Sequence, residues 1–213
     1  MRTDLLIDRL ASDLQPVRRR TPLTDGAALA VLAVIELGLF LITGFMRPDL
    51  PSAMCMPSFW WKLTSLGLIA LVSGSITVLS LDPVRSPRRG LRWAAALIGV
   101  CLAVGGLLDA SRDGFSALYA RVNWLEGLQC LSKMVVLSVP AVIGLGVLMR
   151  RGAPTDRDGT ALAAGLAAAA WGAFVFVFAC PFDDPLYVAV WYSLSCGAVT
   201  FFARCTLPLL TRW

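Results

Sequence analysis

Six long apolar stretches, separated by short polar connections, account for most of the chain. They run over residues 27–45, 59–79, 93–108, 128–149, 160–178 and 186–207. Each is close to the ~20 residues that a helix needs to cross the hydrocarbon core of a bilayer. The pattern therefore predicts an all-α polytopic membrane protein: a bundle of six transmembrane helices over residues 26–213, preceded by a soluble tail over residues 1–25.

Composition and charge support a membrane protein and indicate its orientation. Hydrophobic residues make up 57% of the chain, more than the ~45–50% that is usual in soluble domains. The tail, the second and fourth connections and the C-terminal end carry Arg2, Arg9, Arg18, Arg19, Arg20, Arg85, Arg88, Arg89, Arg92, Arg150, Arg151, Arg157, Arg204 and Arg212. The opposite side has only Arg47, Lys62, Arg112 and Arg121, with Lys133 inside a span. The positive-inside rule then predicts that both termini are cytoplasmic, and the scattered arginines do not indicate direct binding of nucleic acid.

The soluble tail is predicted to contain a short amphipathic helix. Its apolar face consists of Leu6, Ile7, Leu10 and Leu14. A helix of about twelve residues is marginal alone in water, so this face is expected to be ordered by a partner or by the bilayer surface. Three aspartates on so short a helix favour a protein partner, because helices that lie on membranes usually carry a basic polar face.

The chain contains no histidine, which removes the commonest general base and metal ligand. Catalysis by a Ser-His-Asp or Cys-His arrangement is therefore impossible within this chain, and no P-loop or dinucleotide-binding motif is present. We expect a protein that is not an enzyme and that has no resident cofactor.

Among the six cysteines, Cys130 and Cys180 have chemically suggestive neighbours on the predicted outer side. Cys130 is followed by Lys133 and Met134 at helical spacings that place all three on one face. A nearby ammonium lowers the pKa of a thiol and makes it more reactive. Two isolated cysteines at helix ends are nevertheless often structural, so spacing alone leaves both interpretations open.

Cys180 opens a short outer turn that contains two carboxylates, Asp183 and Asp184, and leads to Tyr187. Carboxylates beside a thiol favour a bound cation and oppose formation of the thiolate. The two cysteines are therefore not expected to be chemically equivalent.

Glu36 and Lys133 are the polar residues that stand out within the predicted spans. Ionisable groups at membrane depth are costly unless they are paired or functional. We interpret them as a structural pair, with a role in coupled transport as the alternative. A small metal transporter or a membrane thiol oxidoreductase is thus the main alternative function, although an oxidoreductase of this kind usually has a Cys-x-x-Cys pair, which this sequence lacks.

Three segments carry a resemblance to a known family. They are the start Met1-Arg2-Thr3-Asp4-Leu5-Leu6-Ile7, the continuation Ala11-x-Asp13-x-x-Pro16-Val17, and the motif Cys180-Pro181-x-Asp183-x-Pro185-x-Tyr187-x-x-x-Trp191-Tyr192. Together with six spans, they resemble the NrsF family of proteobacterial membrane proteins over essentially the full length. The resemblance implies an anti-sigma factor that holds an extracytoplasmic-function sigma factor inactive at the bacterial inner membrane and releases it under metal or oxidative stress.

The resemblance also implies a sensor role for Cys130 and Cys180, which match the cysteine positions of the family. They are expected to form a disulfide or to bind a transient soft metal ion, with Asp183 or Asp184 as candidate oxygen donors. A disulfide requires Cα atoms about 4.4–6.8 Å apart, so the outer ends of the helices that carry these cysteines must be adjacent. The sigma factor is expected to dock on the tail, helped by the basic loop 82–92, and membrane lipid is the other expected partner.

Overall fold

The computed structural model describes residue 12 and residues 21–110 and 121–210. Within these ranges the chain forms seven helices and no strands: α1 (Pro22–Ile42), α2 (Leu50–Ala53), α3 (Pro57–Ser80), α4 (Arg88–Ala110), α5 (Trp124–Arg151), α6 (Arg157–Phe176) and α7 (Pro185–Leu210). All except the short α2 are long and apolar enough to cross a membrane. The predicted all-helical class with six spans is therefore confirmed for the described part of the chain.

Capping residues, rather than the apolar stretches, set the helix ends. The first span was expected from residue 27, but α1 begins at Pro22, inside the segment assigned to the tail. The side chain of Thr21 accepts a hydrogen bond from the Thr24 amide, and Pro22 occupies the first turn, where its missing N–H costs nothing. The apolar face expected at Leu6, Ile7, Leu10 and Leu14 lies outside the described residues.

Helix α6 lies at the centre of the bundle and packs against α3, α5 and α7. Its many alanine and glycine residues allow this close approach. A Cβ added at Gly172 would lie 2.6 Å from the backbone nitrogen of Ser138 on α5, and one at Gly165 would lie 2.9 Å from the Cα of Thr200 on α7. These contacts with backbone atoms cannot be relieved by moving a side chain.

Helix α1, in contrast, is attached loosely to the side of the bundle. None of its residues is buried, and a groove of about 610 Å³ separates part of it from α3 and α6. Its specific contacts with the bundle include the packing of Leu32 against Gly144 on α5 and a 3.0 Å hydrogen bond from Trp171 Nε1 to Glu36 Oε2. Helix α1 is therefore the span that the core constrains least.

Alternate connections meet at opposite ends of the bundle. At the first end, which we call the cysteine end, the α1–α3, α4–α5 and α6–α7 connections come together, for example through a 2.9 Å hydrogen bond from the Arg47 amide to Phe178 O. At the second, the arginine end, the α3–α4 and α5–α6 connections meet, and Arg88 pairs with Asp156 at 3.0 Å. The short connections therefore alternate along the chain in the way that successive crossings of one membrane require.

Candidate functional site

The two cysteines singled out from the sequence meet at the cysteine end. Cys130 lies in the second turn of α5 and Cys180 lies in the α6–α7 connection, and the two thiols belong to one buried cluster and interact electrostatically. Both are buried, with 5% and 0% of their surface exposed. The elements that carry the two cysteines are adjacent, since α5 packs against both α6 and α7, and a disulfide between them stays a prediction.

Aromatic side chains close the pocket around this pair. The Tyr187 hydroxyl donates a hydrogen bond to Cys130 Sγ at 3.3 Å, and the Tyr187 ring packs against Phe182 with 4.7 Å between centroids. The Tyr192 hydroxyl lies beside Cys180, and Met134 is fully buried in the same apolar cluster. Tyr187 and Met134 therefore lie where the sequence placed them, next to the cysteines.

A buried ion cluster lies directly beside the cysteines and was not anticipated. We call Arg47, Asp49, Lys62 and Asp183 the Asp183 cluster. The Asp183 carboxylate pairs with Arg47 Nη1 at 2.6 Å and with Lys62 Nζ at 2.8 Å, and Arg47 also pairs with Asp49 at 2.7 Å. The side chains of Arg47, Lys62 and Asp183 are only 4%, 0% and 8% exposed. Charges this deeply buried are tolerated only when they are fully paired and hydrogen-bonded.

The same two cations also hold the backbone of the α6–α7 connection. Arg47 Nη1 donates to the carbonyl of Cys180 at 2.9 Å, and Lys62 Nζ donates to the carbonyl of Phe182 at 3.1 Å. The Cys180 Sγ lies 3.7 Å from that same Phe182 carbonyl. The segment that carries Cys180 is therefore held by Arg47, in the connection after α1, and by Lys62, in the second turn of α3.

Asp184, the second acidic residue of the turn, pairs with a different cation. Arg121 donates to Asp184 at 2.6 and 2.7 Å and also pairs with Asp109 at the end of α4. Burial raises the pKa of Asp184, but the hydrogen bonds from Arg121 and from the Leu186 amide outweigh it and lower the pKa overall. Asp183 and Asp184 are thus already engaged by protein cations. Among the described residues no group of three or more Cys, Asp or Glu side chains is arranged to hold a metal ion, so a metal site at the two cysteines stays a prediction.

The electrostatics of the cysteine pair differ from the sequence-based expectation. The neighbouring Cys130 thiol lowers the pKa of the Cys180 thiol against the opposing effect of burial, and the positive charge of Lys62 lowers it further. Lys133, expected to activate Cys130, is exposed on the surface of α5. The carboxylates do not hold the pKa of Cys180 above its usual range, since Asp183 is paired with Arg47 and Lys62.

The expected pairing of Glu36 with Lys133 is also wrong. Glu36 faces α6, where one of its oxygens accepts the hydrogen bond from Trp171, and Lys133 forms no ion pair with any described residue. The physical reason is the packing of α1, whose polar position points towards the bundle centre, whereas Lys133 lies on the outer surface of α5.

Sequence reasoning missed Arg47, Lys62 and Tyr192 as parts of the site. Arg47 and Lys62 were counted only as topology signals on the sparsely charged side. A usable signal was present: Lys62 lies in the second turn of an apolar span, on the same predicted side as the two aspartates of the Cys180 turn. A buried lysine at such a position requires a carboxylate partner.

Comparison with known proteins gives one consistent result. The chain matches the family model described as "NrsF: Negative regulator of sigma F" over residues 10–213. It is 33% identical over 218 residues to the anti-sigma-F factor NrsF of Caulobacter vibrioides, covering 100% of both chains. It is 29% identical over 177 residues to the "Probable anti-sigma-F factor NrsF" of Azospira oryzae, covering 80% of this chain and 75% of that protein. No solved structure matches the chain.

Proposed function

Because the chain belongs to the NrsF family of negative regulators of sigma F, we propose that it is an anti-sigma factor that sequesters an extracytoplasmic-function sigma factor at the bacterial inner membrane. Both termini face the cytoplasm. The sigma factor docks on the apolar face of the N-terminal tail, and the basic loop 82–92 assists it.

The exposed charges at the arginine end support this orientation. Arg85, Arg89, Arg92, Arg150 and Arg151 all project from that end into solvent. Clusters of Lys and Arg next to membrane spans favour the cytoplasmic side. The exposed native Cys55, and a cysteine introduced at residue 89 of a Cys55→Ser chain, test the orientation. An impermeant thiol reagent added to intact cells labels Cys55 and not position 89, and labelling of position 89 contradicts the proposal.

The burial of Cys130 and Cys180 in one cluster is the observation that carries the sensor role. A two-electron thiol oxidant converts the pair into a disulfide: two protons leave, two electrons pass to the oxidant, and one S–S bond of about 2.05 Å forms. A soft divalent cation instead displaces the two thiol protons and forms two metal–thiolate bonds. Either change creates a new link between α5 and the α6–α7 connection, and it shifts the equilibrium towards the arrangement in which that link fits best.

The experiment is a pull-down with the purified full-length chain in detergent and a tagged sigma-F-type sigma factor. The chain is left reduced, treated with a thiol oxidant, or treated with Cd²⁺. Wild type retains the sigma factor when reduced and releases it on either treatment. Cys130→Ser and Cys180→Ser retain it under all conditions, and the double variant behaves as either single variant does.

Cys55→Ser is the matched control, because Cys55 lies at the same end of the bundle but is exposed. This variant responds as wild type does. Normal release from both Cys130→Ser and Cys180→Ser contradicts the sensor role alone. Failure of the reduced wild-type chain to retain the sigma factor contradicts sequestration itself.

The docking face is tested separately on the tail. Burial of a leucine contributes about 1.5–3 kcal/mol, so Leu6→Asp together with Leu10→Asp weakens sigma binding by about two to four orders of magnitude. Ser12→Asp places the same charge on the polar face and leaves binding close to wild type. Unchanged sequestration by the double variant, at wild-type membrane levels, assigns docking to the loops.

A further inference from the structure

We propose that Arg47 is a positioning residue that transmits the state of the Cys130–Cys180 pair to α1, and through α1 to the N-terminal tail. This inference rests on the proposed function and adds to it the physical route from the thiols to the sigma-binding side. Three observations carry the proposal: the contacts of Arg47, the burial of its side chain, and the loose packing of α1.

The contacts of Arg47 converge on the segment that carries the sensor thiol. Its guanidinium donates to the Cys180 carbonyl at 2.9 Å and to Asp183 at 2.6 Å, and its backbone amide donates to Phe178 O at 2.9 Å. The carbonyl belongs to the same residue as the sulfur that must move. One arginine therefore binds the α6–α7 connection on both sides of Cys180.

Formation of a disulfide disturbs these contacts. The two sulfurs must approach to about 2.05 Å, with a defined dihedral angle about the new bond. Such a shift of Cys180 carries its own carbonyl with it and changes the position of Asp183 three residues later. Because the Arg47 side chain is 4% exposed, water cannot replace a lost partner without an opening of the site. The reduced chain, with the Arg47 contacts, and the disulfide-linked chain, without them, are therefore two distinct conformations.

Helix α1 can respond to such a change, whereas α3 cannot. Arg47 lies in the connection that follows α1, five residues after the helix ends at Ile42, and α1 has no buried residue. Lys62 binds the same carboxylate but belongs to α3, which packs extensively against the central α6. Of the two cations on Asp183, only Arg47 leads to a loosely held span, and that span continues into the tail.

The structure also assigns the direction of the response. Both cysteines are free thiols here, so the Arg47 contacts belong to the reduced state, which is the sequestering state in the proposed function. Loss of these contacts mimics induction. A variant without the Arg47 guanidinium therefore releases the sigma factor while its cysteines remain reduced.

The experiment compares Arg47→Gln with Arg121→Gln in the pull-down with the tagged sigma-F-type factor. Arg121 is the matched control, because it is a second arginine at the same end that pairs with Asp184, next to Asp183, but it pairs with Asp109 of α4 and does not lie next to α1. Under reducing conditions Arg47→Gln retains about 5- to 150-fold less sigma factor than wild type, the usual range of a coupling effect. Arg121→Gln retains the sigma factor and still releases it on oxidation. Thiol titration confirms that Cys130 and Cys180 are reduced in both variants.

A second measurement needs no change at Arg47. Hydrogen exchange of the otherwise unaltered chain reports the Arg47 amide, which is bonded to Phe178 O in the reduced state. Oxidation lowers the protection of this amide in wild type and leaves it unchanged in Cys180→Ser. Unchanged protection in oxidised wild type overturns the proposal.

The outcomes separate this proposal from the one on which it rests. Wild type that never retains the sigma factor contradicts the proposed function. Wild type and Arg47→Gln that retain and release the sigma factor alike contradict the coupling only. Equal loss of retention in Arg47→Gln and Arg121→Gln indicates general destabilisation and also overturns the role of Arg47, as does an Arg47→Gln chain that retains the sigma factor after oxidation.

Discussion

At the cysteine end of the bundle, Arg47 and Lys62 are almost completely buried and share one carboxylate, whereas at the arginine end Arg88 is 79% exposed although it also pairs with an aspartate. Both ends use basic residues near the limits of membrane spans. At the arginine end the charges remain in water, where an ion pair contributes little to stability. At the cysteine end they are removed from water and hold a loop in one position.

This difference distinguishes two roles that a basic residue next to a span can have. The many exposed arginines act together, since the number of basic residues beside the spans is what biases the orientation of a membrane protein. Arg47 and Lys62 act individually, because each binds named carbonyls and carboxylates of the Cys180 segment. The small number of basic residues at the cysteine end therefore does not mean that each of them is unimportant.

The largest effect is expected from removing the Asp183 carboxylate, which Arg47 and Lys62 share at the cysteine end. Asp183→Ala leaves Lys62 without an acidic partner and removes one of the two acidic partners of Arg47. Removal of one member of a buried ion pair destabilises a protein by about 3–5 kcal/mol. The thermal midpoint of the purified chain in detergent falls accordingly. A midpoint equal to wild type shows that water screens this cluster as it screens the arginine end.

Two glycines on α5 extend the comparison to packing. A Cβ at Gly127, near the cysteine end, overlaps the buried ring of Trp191, whose Nε1 is held by the Val122 carbonyl at 2.7 Å. Gly127→Ala therefore destabilises the chain by about 1–3 kcal/mol. Gly146→Ala, near the arginine end, meets only the far end of Leu207 at 3.0 Å and stays close to neutral. Thermal midpoints of the two variants measure the difference, and equal midpoints contradict a more rigid cysteine end.

Dependence on pH between about 6 and the ordinary thiol pKa is expected from the cysteine end. The pKa of Cys180 is lowered in the folded chain, so as the pH rises towards the ordinary thiol pKa of about 8.5 the unfolded chain holds more protons than the folded chain. The free energy of unfolding therefore increases with pH in this window, by on the order of 1 kcal/mol. This contribution is lost as the pH falls through the pKa that Cys180 has in the folded chain. Arginines do not titrate there. Thermal midpoints of wild type and Cys180→Ser against pH test this, and parallel curves contradict it.

The smallest effect is expected at the arginine end. Arg88→Ala removes the exposed pair with Asp156 but leaves the Asp156 side chain to accept from the Gly159 amide at the start of α6. Exposed ion pairs contribute about 0–1 kcal/mol, so the thermal midpoint changes little, and high salt reduces the remaining effect. A fall in the thermal midpoint as large as that of Asp183→Ala contradicts the contrast between the two ends.

Much of the fold and part of the site could be predicted from local patterns. The spans follow from apolar length, the alternating ends follow from the arginine count, and Cys130, Cys180, Tyr187 and Met134 meet as their positions on neighbouring helix ends indicated. The pairings of the charged residues could not be predicted. Glu36 was assigned to Lys133 because both are ionisable, and the fold instead turned one towards Trp171 and the other to the surface.

The sequence by itself determined the number of spans and the end of the bundle to which each connection belongs. These properties depend on length, local periodicity and a count of charges, each of which is contained in a short window of the chain. Only the tertiary structure decided that Asp183 lies between Arg47 and Lys62, 136 and 121 residues away in sequence. Such pairs form because α3 and α7 pack around the small residues of α6 and bring distant connections together, and no local pattern encodes which distant charge will be buried beside another.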